Sequence, residues 1–250
     1  MAELAFIAPG SPPDAFPPAQ RAMDDPNGLL AAGGDLSAKR LLAAYSQGIF
    51  PWYDDNVPLL WWSPNPRAVF YPDRVHMSKR TRRYFRQNAV RVAIDNAFNT
   101  IVEECAAPGP GRESTWITED MKQAYHELFA LGYAHSIGIY RDHELIGGLF
   151  GISLGCAFIA ESMFSRQSNG SKFALITLAA LTHAWGYHII DTQFLTPHLQ
   201  SMGAIELPRE HYLILLSEAI KKKPADRAWL ELPPDHHIYQ NQSWLGGVLN

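Results

Sequence analysis

Apolar and polar positions divide the chain into a stretch without periodicity, then alternating helical and strand-like segments. The first thirty residues are rich in Pro, Ala and Gly, and Phe16-Pro17-Pro18 cannot continue a helix because proline lacks an amide donor. From Asp35 or Ser37, either of which can cap a helix, Leu41, Leu42 and Tyr45 recur at helical spacing until Gly48. Prolines between large aromatics then force extended or turning backbone through Gly48-Ile49-Phe50-Pro51-Trp52-Tyr53 and Trp61-Trp62-Ser63-Pro64-Asn65-Pro66-Arg67. A domain junction is expected near residue 62, dividing the chain into 1–62 and 63–250.

Beyond it the pattern predicts helices over 78–88, 96–107 and 118–131, the last stopped by Gly132. Short β-branched or aromatic runs at 135–141, 144–153 and 156–162, separated by Asp142-His143 and Gly155, predict a meander. A strongly apolar helix over 171–185, a strand over 189–194 and helices over 197–202 and 209–221 complete a β-β-β-α-β-α order. From about 222, after Lys221-Lys222-Lys223-Pro224, prolines and sparse apolar positions describe an appended tail with no assigned role. No internal repeat is evident.

With 250 residues, 47% of them hydrophobic, the chain can bury a sizeable core. No apolar run reaches the roughly 18 residues of a membrane span, and the N-terminus lacks a basic stretch followed by an apolar one, so a soluble cytoplasmic protein is expected. Cys105 and Cys156 have no partner at metal-ligand spacing, and the histidines, His236 and His237 among them, form no ligand cluster; neither metal nor cofactor is expected. The formal charge of -4 excludes a generally basic nucleic-acid binder and leaves only a local patch for RNA.

The densest basic stretch places Lys79, Arg82, Arg83 and Arg86 at i, i+3, i+4 and i+7 on one helical face. Like charges at that spacing repel, which a row of phosphates would offset; a solvated face with remote acidic partners is the other reading. Ser168, Asn169, Gly170 and Ser171 lie before a helix, where free amides and the helix dipole can hold an anion or can simply cap the helix. Asp191 and Gln193, two residues apart on an apolar strand, are expected on one face. Asp191 is then either a structural acceptor or a base that orients an incoming amine.

In order along the chain, Pro26-Asn27-Gly28-Leu29-Leu30, Gly33-Gly34-Asp35-Leu36, Gly48-Ile49-Phe50-Pro51-Trp52, Trp61-Trp62-Ser63-Pro64, Pro66-Arg67, Trp116-Ile117-Thr118, His135-Ser136, Glu161-Ser162-Met163-Phe164-Ser165 and Ile190-Asp191 carry a resemblance. Together they resemble the bacterial leucyl/phenylalanyl-tRNA-protein transferases from about residue 16 to 216. The resemblance implies an α+β protein: a small N-terminal α/β domain and a larger domain similar to the acyl-CoA N-acyltransferase (GNAT-like) fold. It implies transfer of leucine or phenylalanine, and less well methionine, from aminoacyl-tRNA to proteins with N-terminal Arg or Lys, marking them for degradation.

Positions matching the family's aminoacyl pocket are Leu149, Phe158, Leu175, Leu178 and Ile190, although strict alternation sets Phe158 and Glu161 on opposite faces unless the strand is bulged. Trp52 and Trp116 match positions that hold the terminal adenosine of the tRNA, where an aromatic face suits an unpaired base. The ester is already activated, so aminolysis needs no cofactor. Asp191 with Gln193 is expected to orient the amine and relay its proton, with Glu161 as a second carboxylate at the acceptor or aminoacyl amine. A monomer is expected. The competing enzyme reading, an acetyl-CoA-dependent N-acetyltransferase, draws on the loop 166–171 but lacks the second glycine, since residue 172 is Lys; a non-catalytic RNA-binding module leaves Asp191 and Gln193 without purpose.

Overall fold

A computed structural model describes residues 4–54, 56–108, 115–226 and 228–230; the side chain of Arg86 and the tail residues His236 and His237 lie outside the described part. Its N-terminal portion builds a four-stranded sheet in the order β1-β2-β4-β3 from β1 (Ala5–Ile7), β2 (Leu29–Gly33), β3 (Phe50–Pro51) and β4 (Leu60–Trp62). One helix, α1 (Ala38–Ser46), packs on it; of the two caps the sequence allows, Ser37 is the one that accepts from the Arg40 amide. The opening residues, expected to be irregular throughout, contribute β1, paired in parallel with β2.

The larger sheet has seven strands in the order β11-β5-β10-β9-β8-β7-β6. These are β5 (Arg67–Phe70), β6 (Arg91–Ile94), β7 (Ala134–Arg141), β8 (Glu144–Leu154), β9 (Ala157–Ser165), β10 (Ile189–Gln193) and β11 (Ile205–Leu207). The meander β7-β8-β9 is antiparallel, as expected, and β10 then lies parallel to β9. That parallel pairing requires a crossover, supplied by α5 (Gly170–Ala184). Gly170 is obligatory where α5 begins, because a Cβ there would sit 2.3 Å from the Ile146 carbonyl oxygen. Strands β5, β6 and β11 carry no alternation long enough to be legible from sequence.

Helices cover both faces. On one side α5 buries Phe173, Leu175, Leu178 and Leu181 in a cluster with Leu149, Phe158 and Ile190, and α2 (Lys79–Gln87) joins by stacking Phe85 on Phe173 at 3.6 Å. On the other, α3 (Phe98–Ala106) and α4 (Glu119–Ala130) cover Phe150, Ile152 and Ile159. This second core is continuous with Ile7, Leu41 and Trp61 of the small sheet, so residues on either side of the expected junction share one apolar interior. The short α6 (Pro197–Ser201) and the final α7 (Arg209–Ala219) flank β11, and α7 packs Tyr212 and Leu216 against Val69 and Ile189. No helix among the described residues is long and apolar enough to cross a membrane.

Candidate active site

Two irregularities in neighbouring strands open the sheet. In β9 the register passes from Gly151↔Ala160 to Phe150↔Ser162, so Glu161 lies within a bulge. In β10 it passes from Asp191↔Val69 to Gln193↔Ala68, leaving Thr192 as the extra residue. Pairing of β9 with β10 runs only to Ile159↔Asp191. Beyond that point lies a cavity of about 120 Å³ lined by Leu149, Ala160, Glu161, Ser162, Met163, Leu175, Thr192, Gln193 and Leu199. Bulges recur beside active sites because they re-aim side chains, and both of these do so.

The β10 bulge corrects the expectation that Asp191 and Gln193 share a face. Gln193, at φ 57°, lines the cavity, whereas Asp191 is fully buried away from it. Its carboxylate accepts from Arg67 Nε at 2.8 Å and Nη2 at 2.6 Å, from the Tyr212 hydroxyl at 2.8 Å and from the Gln193 amide at 3.0 Å. The Arg67 guanidinium lies 4.7 Å from the ring centres of both Phe50 and Tyr212, and it donates to the Gly48 carbonyl at 3.1 Å. Burial works against the charge of Arg67, but Asp191, together with Tyr212 and Glu161, outweighs it and raises the guanidinium pKa further. Of the two readings left open by sequence, these contacts favour the structural acceptor.

Glu161 is held differently. As a residue it is half-buried, but its Oε1 is shielded and has no hydrogen-bond partner among the described residues. Oε2 accepts from the Tyr125 hydroxyl of α4 at 2.6 Å. Burial pushes its carboxyl up to about 7; the phenols of Tyr125 and Tyr45 oppose the rise, the Asp191 charge adds to it and Arg67 offsets it. Both phenols are held well above their ordinary range, chiefly by burial and then by the Glu161 charge, so they stay protonated, and Tyr125 is the one that donates to Glu161. Glu161 lines the cavity while its carboxylate is held from α4 by Tyr125; Phe158 belongs to the core under α5 and does not line it.

The five expected pocket residues separate. Leu149 and Leu175 line the cavity, while Phe158, Leu178 and Ile190 are fully buried in the core around it and do not. Met163, Leu199, Ala160, Ser162 and Thr192 complete the lining instead. The strand residues among them escaped sequence reasoning because a bulge shifts which residue of a strand faces inward, and Leu199 of α6 arrives by tertiary packing. Tyr45, Tyr125, Arg67 and Tyr212 were missed too, since each is brought to the site by long-range packing.

Trp52 and Trp116 meet in one cleft of about 400 Å³ together with Tyr53 and Trp62. Trp52 is 41% exposed, 5.4 Å from Trp62 and 5.5 Å from Phe194, the residue that follows Gln193. The aromatic cleft therefore adjoins the gap between β9 and β10.

A further cleft of about 580 Å³ joins two features that sequence treats separately, the basic helix and the loop before α5. Arg80, Arg83 and Tyr84 of α2 face Ser168, Asn169 and Lys172 across it. Of the basic residues expected to share one face, Arg83 is in its lining and Lys79 and Arg82 are not. The cause is Phe85: by packing on Phe173 it fixes the rotation of α2, and the row that then faces the loop is 80, 83, 84 and 87. Lys172 precedes Leu175 by three residues on α5, so the cationic cleft and the apolar cavity are one helical turn apart.

Residues 69–217 match the family described as Leucyl/phenylalanyl-tRNA protein transferase, and residues 34–65 match its N-terminal domain. The chain is 46% identical over 224 residues to the Leucyl/phenylalanyl-tRNA--protein transferase of Saccharophagus degradans, covering 90% of this chain and 91% of that one. It is 50% identical over 220 residues to the protein of the same name from Idiomarina loihiensis, covering 87% and 93%. Against that of Xanthomonas campestris pv. campestris strain B100 identity is 45% over 246 residues, covering 98% and 97%. Matched by the family model over residues 69–217 and by relatives 45–50% identical over 87–98% of its length, this protein belongs to the leucyl/phenylalanyl-tRNA protein transferase family.

Proposed function

We propose that this enzyme transfers leucine or phenylalanine, and less well methionine, from aminoacyl-tRNA to the N-terminal Arg or Lys of acceptor proteins, creating a degradation signal in the cytoplasm. The observation that carries the reading is the placement of Glu161 and Gln193 on the wall of a cavity otherwise lined largely by apolar side chains, in a chain of this family. At about 120 Å³ the cavity is well below the ~300–1,000 Å³ of pockets for drug-sized ligands, so it suits one amino-acid side chain rather than a whole cofactor. The terminal adenosine stacks between Trp52 and Trp116, and phosphates of the acceptor end meet Arg80, Arg83 and Lys172, with Lys79, Arg82 and Arg86 on the same helix extending the field.

Aminolysis forms a C–N bond and breaks the ester C–O bond. The amine loses a proton and the departing ribose oxygen gains one. With an α-amine of reference pKa about 7.7–8.0, a base near neutrality is matched to the task. Glu161, at about 7, has that property and carries the proton to the ribose oxygen. Asp191 orients: its Oδ1 fixes the Gln193 amide at 3.0 Å. Gln193, turned so that its amide nitrogen donates to the carbonyls of Ala160 at 3.2 Å and Thr192 at 3.1 Å, offers its carbonyl oxygen to an N–H of the incoming neutral amine. We read the larger sheet as GNAT-like, supported by β7-β8-β9-α5-β10 with β9 and β10 splayed apart, the domain junction as lying near residue 62 and the enzyme as a monomer.

Transfer of labelled leucine from leucyl-tRNA to a peptide beginning with Arg tests this. Glu161→Gln should lower kcat by about 10²-fold or more with tRNA affinity retained. Arg80→Ala with Arg83→Ala should weaken tRNA binding and lessen its dependence on salt, by a slope of about 0.9 for each phosphate no longer neutralised. Absence of transfer by the wild-type protein from leucyl-, phenylalanyl- and methionyl-tRNA alike would overturn the reading.

A further inference from the structure

We propose that Trp229, in the segment after α7, is a positioning residue for the aminoacyl cavity: it holds Phe158 in place and so sets how deep a side chain the cavity admits. The inference rests on the aminoacyl-transfer reading and assigns part of the substrate selectivity to a segment without an evident role in the sequence.

The chain past α7 returns to the C-terminal end of α5, where the Ala225 amide donates to the carbonyl of Trp185 at 3.0 Å. The Trp229 indole then enters an aromatic box. It stacks on His135 at 4.4 Å with an interplanar angle of 8° and on Phe158 at 5.1 Å and 25°, and it meets Trp185 at 5.0 Å. Its Nε1 donates to the Tyr187 hydroxyl at 2.6 Å, which shares a second 2.6 Å hydrogen bond with Ser153 Oγ. His135 is itself fixed by Asp95 at 2.7 Å. Trp229 has φ 61°, a conformation that L residues rarely adopt, so the side-chain contacts and not local backbone preference hold it.

Phe158 is clamped from both sides. A Cβ at Gly151 would fall 2.6 Å from its Cε1 and 2.8 Å from its Cζ, so the ring lies directly over the Gly151 backbone, with the indole stacked beyond. Gly151 is two residues along β8 from Leu149, and Phe158 two residues along β9 from Ala160; residues so spaced share a strand face, and Leu149 and Ala160 both line the cavity. Phe158 thus shoulders the wall without touching the cavity, and Trp229 is what prevents its retreat. Interiors this closely packed pass a displacement to the next side chain rather than absorb it.

The experiment compares transfer from phenylalanyl-tRNA and leucyl-tRNA by the full-length wild type, Trp229→Ala and Trp229→Phe. Removing the indole lets Phe158 withdraw and deepens the cavity. The kcat/KM ratio of phenylalanine over leucine should rise about threefold or more in Trp229→Ala, chiefly through KM, and Trp229→Phe, which keeps a stacked ring, should restore the wild-type ratio. If Trp229→Ala does not fold, Trp229→Leu takes its place with the same direction expected. A folded, active Ala or Leu variant whose ratio stays within about twofold of wild type, even with a lowered Tm, overturns the inference while leaving the transferase reading intact. A wild-type protein inactive with both tRNAs overturns that reading instead, and the inference with it.

Discussion

Asp191 on β10 and Glu161 on β9 are two carboxylates on adjacent parallel strands, both withdrawn from water, held in opposite ways. Asp191 accepts from two guanidinium nitrogens, a phenol and a backbone amide. Glu161 accepts from one phenol and keeps an unpartnered oxygen among the described residues. Burial alone therefore does not make a carboxylate reactive; the number of donors decides. A carboxylate met by donors on every side becomes architecture, while an under-met one is poised to exchange a proton near neutrality. The two are also coupled, since the charge of Asp191 helps to raise Glu161 and Arg67 opposes it. The ion pair that ties β5 to β10 thereby also tunes its neighbour.

Breaking the locked side should give the largest effect. Arg67→Met leaves Asp191 buried beside Tyr212 without its cation, and it also removes the packing of the guanidinium against Phe50. A loss of about 3–5 kcal/mol in urea unfolding is expected, the cost of stranding one member of a buried pair. A loss under about 1 kcal/mol would mean that water reaches Asp191, and the contrast with Glu161 would collapse.

On the poised side, Glu161→Gln should change how stability depends on pH. The folded-state value of about 7 stands above the ordinary 4.5, so between those values the native protein holds a proton that the unfolded chain has released. Stability contributed by the neutral form is complete below pH 4.5 and lost as pH rises through 7. From pH 5 to pH 8 the wild type should therefore lose about 2–3 kcal/mol on this account, and Glu161→Gln should lack that slope. Urea midpoints across the range measure it; parallel curves for the two proteins would place the titration elsewhere.

These contrasts bear on what the sequence could disclose. The meander, the crossover helix and the helices capped by Ser37, Ser78 and Thr118 were legible because periodicity and capping are local. At the site, Glu161, Gln193, Leu149 and Leu175 come to line one cavity and Trp52 and Trp116 one cleft, but the roles of these residues leave no local signal. Whether Asp191 is base or brace depends on Arg67, 124 residues earlier in the chain, and on a bulge that turns Gln193 away from it. The rotation of the basic helix depends on Phe173, and the use of the tail depends on a box drawn from four separate segments, none of which leaves a short-range signature.

The finest comparison removes the same hydroxyl from each side. Tyr125→Phe takes from Glu161 Oε2 its 2.6 Å donor but keeps the ring that packs edge-on against Phe150 at 4.9 Å. Because that bond favours the charged form, its loss should move the Glu161 midpoint above 7 and cost about 1–2 kcal/mol at pH 8, where the carboxylate must be ionised. Little should be lost at pH 5. Tyr212→Phe removes a 2.8 Å donor from Asp191, but the two-pronged contact with Arg67 and the Gln193 amide remain. Its cost should be about 1 kcal/mol or less, below that of Tyr125→Phe at pH 8, because three donors to the carboxylate remain. A loss in Tyr212→Phe at pH 8 equal to or larger than that of Tyr125→Phe would show that the phenol, not the guanidinium, carries the hold on Asp191, and the contrast would fail.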